Sequence, residues 1–409
     1  MRAVRVILVN DYAFVNGGAG EVALTTARLL AARGHQVVLF TAVGPVAEEL
    51  LSVAGLRVVC TGHQDLLHDP NRLRAATYGI WNPVTRRAFD QLLREFSPRD
   101  TIVHVHALQK AVTTSILPVA RKRGFRVLYH LHDYGAACPN LGFFDYPAQK
   151  ICHRHALGLG CVLRNCDRRS YAQKVWRVLR QWVQRGFGGL PGKVDAFAYI
   201  SDYSLRLLQP YLPPAAKLYA LPNPIRVEQG ERVQAEKNQV YLFVGRLSPE
   251  KNPQLLARAA AQLGLPARFV GSGAMAEEIR RIDPLAELTG WVPHDGLSAY
   301  YRQARALVFP SVWGETFGLV ALEAMAYGLP VIVSDACAAA DEVTDGVTGL
   351  HFRSNDLASL QEKMLLLQDD ARVRDMSARA YRYFWQRYGD EDCYVETLER
   401  IYQEELSRS

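Results

Sequence analysis

Apolar runs, glycine turns and helical periodicity alternate along the whole chain. The first run, residues 4–9, is rich in β-branched side chains and ends before the glycine turn at 16–20. Apolar residues then recur at helical spacing from Val22 to Leu30, Gly34 ends this helix, and residues 36–40 form a second apolar run. A strand, a glycine turn, a helix and a strand within about 40 residues predict a βαβ unit, which requires a parallel sheet.

The same pattern predicts further strands in both halves of the chain. They cover residues 102–106, 126–130, 196–201, 240–244, 267–270, 306–309 and 331–333. One of the intervening helices is expected to begin at Pro253, with Asn252 as its N-terminal cap. The predicted fold class is α/β, with two Rossmann-like, doubly wound parallel-sheet domains that face each other across a cleft.

The seam between the two domains is placed at Leu221-Pro222-Asn223-Pro224, where two prolines precede a polar stretch. Residues 1–220 then form the N-terminal domain and residues 221–385 the C-terminal domain. Residues 386–409 continue a stretch of aromatic and aliphatic side chains at helical spacing. This last helix either crosses back to the N-terminal domain or covers the second domain only.

The composition is that of a folded protein, with 49% hydrophobic and 22% charged residues, which excludes a disordered or fibrous chain. Residues 1–225 hold 28 Lys/Arg and 14 Asp/Glu, net +14, whereas the rest of the chain is net −7. The first half is therefore expected to face an acidic partner, such as anionic lipid, a phosphorylated acceptor or nucleic acid. Nucleic acid is disfavoured because the sequence lacks the aromatic interleaving and recognition motifs of such binders.

The sequence predicts a cytoplasmic protein, because no uncharged apolar run approaches the roughly 18–20 residues that span a bilayer and the N-terminus has too short an apolar core for a signal peptide. Peripheral contact with anionic membrane is a further hypothesis. It rests on the basic stretch 168–185, where four apolar residues share one helical face: Val175, Val178, Leu179 and Trp182. The alternative is an ordinary domain helix that buries this face.

Ligands of open parallel sheets bind at the carboxyl ends of the strands, so the loops after strands are where chemistry is expected. Glu315 lies in the loop after strand 306–309, and Glu323 lies in the apolar helix that follows. Eight residues of helix would span about 12 Å, so the two carboxylates are expected to make separate contacts. An unpaired Glu323 in an apolar helix would be costly, and a ligand diol would justify it.

Cations and glycines follow two other strands. Arg246 and Lys251 share one strand-to-helix loop, where a planar guanidinium and an ammonium can converge on one diphosphate. The glycine turn at 17–20 lets the backbone approach phosphates or a sugar. NAD is disfavoured, because the chain lacks both G-x-G-x-x-G and an acid at the end of the second strand, and the P-loop motif is also missing.

Six motifs follow one another in a specific order: G-G-A-G (17–20), L-P-N-P (221–224), G-R-L-S-P-E-K-N (245–252), V-G-S-G (270–273), G-W-V-P (290–293) and E-T-F-G-L-V-A-L-E (315–323). Together they resemble the retaining nucleotide-sugar glycosyltransferases of family 4, which have the GT-B fold. The resemblance covers nearly the whole chain. It implies that the first domain binds the acceptor and the second domain binds the nucleotide-sugar donor.

The resemblance also implies a role for each matching residue. Glu323 would bind the ribose hydroxyls, and Arg246 and Lys251 the diphosphate. Glu315 would hold hydroxyls of the transferred sugar, and His132 would face that sugar. The remaining implied donor contacts are the backbone amides of Phe317 and Gly318, the base-binding region at Gly271, Trp291 and Val292, and a close approach of Gly18 to the diphosphate or acceptor.

The implied reaction moves a sugar from a UDP-, GDP- or ADP-linked donor to a saccharide or lipid-linked acceptor, in surface polysaccharide or glycoconjugate synthesis. It would need no metal ion or other cofactor, because Arg246, Lys251 and helix-terminal amides would stabilise the departing diphosphate. The string Asp390-Glu391-Asp392 is interpreted as a solvated charge run. Retention by front-face substitution is the mechanistic hypothesis. A nucleotide-sugar epimerase and a non-catalytic sugar-nucleotide-binding protein are the alternatives.

A cysteine segment, residues 138–166, follows His132. It contains Cys138, Cys152, Cys161 and Cys166, together with two histidines. Thiolates and imidazoles suit structural zinc, but the spacing contains no C-x2-C pair. A zinc site, reduced structural thiols and a redox pair all remain open, and the segment could also shape the acceptor pocket.

Overall fold

The computed structural model describes residues 4–389 and 391–408. The strands of the first half are β1 (Arg5–Val9), β2 (Gln36–Thr41), β3 (Leu56–Cys60), β4 (Thr101–Val105), β5 (Arg126–Leu131), β6 (Phe144–Asp145), β7 (Lys150–Ile151), β8 (Ala196–Tyr199) and β9 (Lys217–Ala220). The helices of this half are α1 (Gly18–Ala32), α2 (Glu48–Leu51), α3 (Arg72–Tyr78), α4 (Pro83–Leu93), α5 (Leu117–Lys122), α6 (Leu159–Leu163), α7 (Tyr171–Val183) and α8 (Asp202–Leu208).

The second half repeats the alternation of strands and helices. Its strands are β10 (Val240–Val244), β11 (Ala267–Val270), β12 (Glu287–Gly290), β13 (Ala304–Phe309), β14 (Val331–Ser334) and β15 (Gly349–Phe352). Its helices are α9 (Pro253–Leu263), α10 (Ala276–Ile282), α11 (Leu297–Arg302), α12 (Leu319–Ala326), α13 (Ala339–Glu342), α14 (Leu357–Leu366), α15 (Asp370–Arg387) and α16 (Glu391–Leu406). No described helix has both the length and the apolar character needed to cross a membrane.

Each half forms one parallel sheet. The first has the order β3-β2-β1-β4-β5-β8-β9 and the second the order β12-β11-β10-β13-β14-β15. The second order is that of doubly wound nucleotide-binding sheets, whose switch point lies between the first and fourth strands. The predicted α/β class with two Rossmann-like domains is confirmed. The switch points, β1 beside β4 and β10 beside β13, are where ligands are expected.

Helices cover both faces of each sheet, so the central strands are buried on both sides. In β1, Ile7 and Val9 pack into one apolar core of the first domain, and Val6 and Leu8 pack into another core on the opposite face. This double burial explains why β1 is a nearly continuous apolar run in the sequence.

The C-terminal helix α16 packs on the first domain. Leu398 and Ile401 are buried in the core that contains Val6 and Leu8. The hydroxyl oxygens of Tyr394 and Thr26 lie 2.8 Å apart. After completing the second sheet, the chain therefore returns to the first domain. In the predicted charge run, Asp390 lies outside the described residues, and Glu391 begins α16.

Two local expectations differ from the structure. Asn252 precedes α9 as expected, but its side chain makes no capping hydrogen bond and its Nδ2 donates to Asn355 Oδ1 at 3.2 Å. The backbone of Asn252 is left-handed, with φ of 51°, and this differs from the extended geometry of a side-chain cap. The predicted glycine loop is also shorter than expected, because Gly18 already begins α1.

Helix α7 buries its polar side. Three of the four residues of the predicted apolar face are exposed: Val175, Leu179 and Trp182. Arg180 and Gln181 are buried instead, and each donates a 3.0 Å hydrogen bond to the carbonyl of a neighbouring loop. The expectation that this helix buries its apolar face in the domain is wrong, because its polar side chains satisfy buried loop carbonyls.

Candidate active site

The loops after β10 and β13 meet at the switch point of the second sheet. Lys251, in the first loop, lies with its Nζ 2.5 Å from Glu315 Oε2 in the second. The same ammonium lies 5.6 Å from the ring centroid of Phe309 and 5.5 Å from that of Trp313. One carboxylate and two aromatic faces therefore hold this cation at the carboxyl end of the sheet.

Arg246 lies in the same loop as Lys251 and is far more open. Its side chain is 69% exposed, and its nearest carboxylate oxygen, on Glu250, is 3.6 Å away. Burial and Glu250 raise the pKa of Tyr146 in the first domain, and the positive charge of Arg246 opposes them. Arg246 is thus an available guanidinium that faces the cysteine segment across the cleft.

Glu323 is buried in α12, and both of its oxygens have protein partners. Tyr301 donates its hydroxyl to Oε2 at 2.8 Å, and His294 Nε2 lies 3.3 Å from Oε1. The hydrogen bond to Glu323 raises the pKa of His294. The expectation of an unpaired Glu323 is therefore wrong. Tyr301 and His294 support the carboxylate, and a ligand diol would have to share or displace these contacts.

Two glycines bring backbones close together around the cleft. At Gly271, where φ is 144°, a Cβ would lie 1.9 Å from the carbonyl oxygen of Gly245, so no side chain fits between the loops after β10 and β11. A Cβ on Gly18 would lie 3.2 Å from Leu319 Cδ1. The start of α1 in the first domain therefore faces the start of α12 in the second.

The other predicted donor residues lie at the same end of the second sheet but differ in how far they are exposed to solvent. Phe317 is buried in the apolar core, whereas Trp291 is 74% exposed. Val292 packs partly against the same core as Phe317. Gly318, with φ of 92°, immediately precedes α12.

His132 contributes from the first domain, directly after β5. Its carbonyl accepts a hydrogen bond of 2.9 Å from Thr316 Oγ1 of the second domain. Burial lowers the pKa of His132 to about 3. The imidazole is therefore neutral at physiological pH and can act by hydrogen bonding but supplies no positive charge.

The loop 310–318 is held by both domains. Its contacts with the first domain are three further hydrogen bonds: Tyr134 Oη to Gly314 O at 2.5 Å, Ser201 Oγ to Thr316 O at 2.6 Å, and Trp313 Nε1 to Gly142 O at 2.7 Å. The loop that carries Glu315 is thus positioned by both halves of the chain. The predicted acids and cations lie at the cleft between the domains.

The cysteine segment surrounds a buried lysine. Lys174 Nζ lies 3.4 Å from Cys161 Sγ. Burial lowers the pKa of Lys174, but Cys166, Cys161 and Cys138 outweigh this effect and raise it. All of these thiols are free, and in the described chain they do not form a group of converging metal ligands. The arrangement favours reduced thiols over zinc or a disulfide.

Several site residues were missed by the sequence analysis. Tyr301 and His294 hold Glu323, Tyr134 spans the cleft, and His106 Nδ1 lies 2.9 Å from His132 Nε2. The signal for His106 was present in the sequence. H-x-H occurs at the ends of two predicted neighbouring strands, and residues two apart on a strand share a face.

Family models match most of the chain. The model described as Glycosyltransferase Family 4 matches residues 16–229, which is more than half of the chain, and the model for glycosyl transferases group 1 matches residues 226–383. The chain belongs to glycosyltransferase family 4. It is therefore an enzyme that transfers glycosyl groups, and the fold predicted from the motifs, GT-B, is confirmed.

Alignments over most of the chain connect this family 4 glycosyltransferase to other glycosyltransferases. It is 28% identical to D-inositol 3-phosphate glycosyltransferase of Nocardia farcinica over 390 residues, covering 89% of this chain and 80% of the relative. Sucrose-phosphate synthase of Thermosynechococcus elongatus superposes with a TM-score of 0.74 at 20% identity, covering all of both chains. Anabaena HepE in complex with UDP and glucose superposes with a TM-score of 0.68 at 17% identity, covering 99% of this chain and all of that one. These two superpositions show the shared fold.

Proposed function

We propose that this enzyme transfers a hexose from a nucleotide diphosphate donor to a saccharide or lipid-linked acceptor. The transfer retains the configuration at the anomeric carbon and uses no metal ion at the donor site. The observation that carries the proposal is the Lys251–Glu315 pair, at 2.5 Å, placed at the switch point of the second sheet. Lys251 and the exposed Arg246 supply positive charge there, and Glu315 supplies a hydroxyl acceptor.

The charges are arranged for electrostatic stabilisation of a leaving group. Glycosyl transfer builds negative charge on the departing diphosphate. Fixed cations in a partly desolvated site stabilise such charge without reorganising during the reaction. Glu315 and two aromatic rings hold Lys251 in place. Lys251 therefore acts as a preorganised counter-charge. The planar guanidinium of Arg246 can donate two parallel hydrogen bonds to the phosphate oxygens.

Front-face substitution is supported by the state of the nearby first-domain carboxylates. Asp11 accepts hydrogen bonds of 2.8–2.9 Å from the backbone amides of three residues: Lys110, Ala111 and Val112. Asp133 accepts one from the amide of Gly135 at 2.7 Å, and burial raises its pKa. The three amide contacts of Asp11 disfavour it as the nucleophile of a double displacement. Asp133 has a single such contact and takes no nucleophilic role in the front-face mechanism that we propose.

The donor is identified by a hydrolysis screen with the full chain and no acceptor. UDP-, GDP- and ADP-linked hexoses are offered without divalent metal and with a chelator present. We expect one base to be preferred at least about tenfold, because the base lies against a shaped backbone region near Gly271. Nucleotide diphosphate release is measured by coupled assay.

Transfer to an acceptor panel then tests the stereochemistry. The panel includes inositol phosphate, because a relative is named for that substrate, together with simple saccharides and lipid-linked sugars. Proton NMR of the fresh product should show the anomeric configuration of the donor. An inverted product contradicts the front-face mechanism, and complete loss of activity with chelator contradicts metal independence.

The acceptor side of the proposal includes a membrane surface on α7. The exposed Val175, Leu179 and Trp182 line one side of the helix, and Phe187, just after the helix, is 74% exposed. Arg168 and Arg169, both exposed, stand beside its N-terminus. An apolar helix face with flanking arginines is the pattern of a helix that lies on anionic lipid.

Liposome flotation tests this surface. The full chain should float with vesicles that contain phosphatidylglycerol and stay behind with pure phosphatidylcholine. The double variant Trp182→Ser/Phe187→Ser should bind the anionic vesicles at least about tenfold more weakly, because two large apolar groups no longer leave water. Leu285→Ser is the matched control, since Leu285 is 94% exposed on the second domain. Equal binding by the double variant and the control contradicts the proposed surface.

A further inference from the structure

Histidines end two neighbouring strands of the first sheet in the pattern H-x-H. His104 lies in β4 and His106 follows it, while His130 lies in β5 and His132 follows it. The parallel register pairs Val105 with Tyr129, so His106 is the neighbour of His130. Residues two apart on a strand share a face, and all four side chains therefore lie on the same face of the sheet.

Three of these imidazoles form a compact buried group. His104, His106 and His130 are exposed by only 0%, 2% and 1%. Their ring centroids are 4.2 Å apart for His104 and His106, 5.0 Å for His106 and His130, and 5.3 Å for His104 and His130. One ring nitrogen from each lies within 4.8 Å of the other two. Among the described residues, this is the group of converging metal-ligating side chains.

The Nε2 atoms of all three histidines are buried and have no hydrogen-bond partner in the described chain. Leaving such an atom unsatisfied destabilises the folded state, and the great majority of buried polar atoms in proteins have a partner. Three such atoms in one group need a common explanation. A cation bound between the converging ring nitrogens would give each of these histidines a partner.

The Nδ1 atoms of His104 and His106 are already occupied by groups that orient the rings, whereas Nδ1 of His130 is buried without a partner among the described residues. His104 Nδ1 lies 2.7 Å from the hydroxyl of Tyr402, and His106 Nδ1 lies 2.9 Å from His132 Nε2. Metal-bound histidines typically use their second nitrogen in such an outer contact, which sets the ring orientation and the tautomer. Because Tyr402 belongs to α16, the C-terminal helix closes this group.

We propose that His104, His106 and His130 bind one first-row transition-metal ion of the Zn²⁺ class. Neutral imidazoles suit zinc, copper, nickel and iron, whereas Mg²⁺ and Ca²⁺ require oxygen ligands. Tetrahedral zinc with Zn–N distances of about 2.0–2.1 Å places its ligand nitrogens about 3.4 Å apart. The three nitrogens, which lie within 4.8 Å of one another, would have to approach by up to about 1.4 Å to reach this spacing. The site shares no residue with the predicted donor site.

The ion would position His132 without contacting the substrate. A metal on Nε2 of His106 leaves the ring proton of His106 on Nδ1, which then donates to His132 Nε2. Because Nε2 of His132 accepts this hydrogen bond, the single ring proton of His132 is held on its Nδ1. His106 is a positioning residue in this scheme. The consequence for transfer rests on the proposed role of His132, but metal binding itself does not.

The first experiment measures metal on the full chain without donor or acceptor. Chelator-treated protein is titrated with ZnCl₂ against a chromophoric competitor, and the metal content is determined by mass spectrometry. We expect one equivalent of zinc and an increase in Tm on binding, because a ligand that binds only the folded state stabilises it. His104→Gln and His130→Gln should each weaken zinc binding at least about tenfold. His68→Gln, at an exposed histidine, should not change it.

X-ray absorption at the zinc edge of the wild-type chain tests the proposal even if the histidine variants fail to fold. Nitrogen ligands at about 2.0–2.1 Å support it, whereas sulfur at about 2.3 Å places the ion in the cysteine segment and overturns it. Less than one tenth of an equivalent of zinc, or equal affinity in His130→Gln and His68→Gln, also overturns it. Since no substrate is present, none of these results depends on the transfer reaction.

Discussion

Replacing Lys251 with alanine should lower kcat for transfer by about 10²- to 10³-fold, the loss seen when one preorganised charge-stabilising group is removed from an active site. Its ammonium lies 2.5 Å from Glu315 and is flanked by Phe309 and Trp313. A solvated cation would move freely, but this one is held where diphosphate charge grows. Steady-state kinetics with the preferred donor measure the effect. Lys237→Ala, at an exposed lysine of the same domain, should leave kcat unchanged.

The same loss of kcat could arise because the Glu315 carboxylate is left without its cation. A double-mutant cycle separates this cause from the loss of the positive charge that stabilises the leaving group. Removing Lys251 alone leaves Glu315, which is only 17% exposed, without its cation. If that were the defect, Lys251→Ala/Glu315→Ala would recover activity. We expect no recovery, because the counter-charge for the leaving group is still missing. Glu315→Ala alone should reduce kcat more than nucleotide affinity. Normal turnover by Glu315→Ala would show that the sugar-binding role assigned to it is wrong.

The central strands could be predicted from the sequence and the edge strands could not. β1 and β10 are buried on both faces and therefore appear as nearly continuous apolar runs. β3 and β12 lie at the sheet edges and are only partly buried, and their sequences, L-R-V-V-C and E-L-T-G, carry a weaker pattern. A strand that is solvated on one side needs fewer apolar residues, so the sequence contains less evidence of it.

Only some of the polar residues of the site could be predicted from the sequence. Arg246, Lys251 and Glu315 could be named because they stand in loops directly after apolar strands, and strand order at the switch point brings these loops together. The partners of Glu323 could not be named, because Tyr301 and His294 belong to a different helix and turn. The exposure of the apolar face of α7 could not be predicted either. Helical spacing shows which residues share a face, but it does not show what packs against that face.

Replacing Glu323 with alanine should weaken nucleotide binding by at least about 100-fold. Hydrogen bonds to charged groups contribute about 1.5–3 kcal/mol each, and a carboxylate that accepts two ribose hydroxyls makes two of them. Calorimetry with the nucleoside diphosphate measures the loss. Glu362→Ala, at an exposed residue of α14, is the control. Glu323→Gln should retain part of the affinity, because the amide oxygen still accepts one hydroxyl. If Glu323→Ala bound the nucleotide with wild-type affinity, the ribose would not be bound by this carboxylate.

The pH dependence of nucleotide binding gives a second, independent signature of the same contact. The hydrogen bond to Glu323 raises the pKa of His294 in the free enzyme, and Glu21 and Asp295 act in the same direction. If the ribose takes the oxygens of Glu323, His294 loses its main partner and its pKa falls toward the ordinary value of about 6.5. The free enzyme then binds more protons than the complex, so affinity should rise as pH increases through this window and level off above it. His294→Gln should flatten the profile. A wild-type profile that is already flat would mean that the nucleotide leaves the His294–Glu323 contact intact.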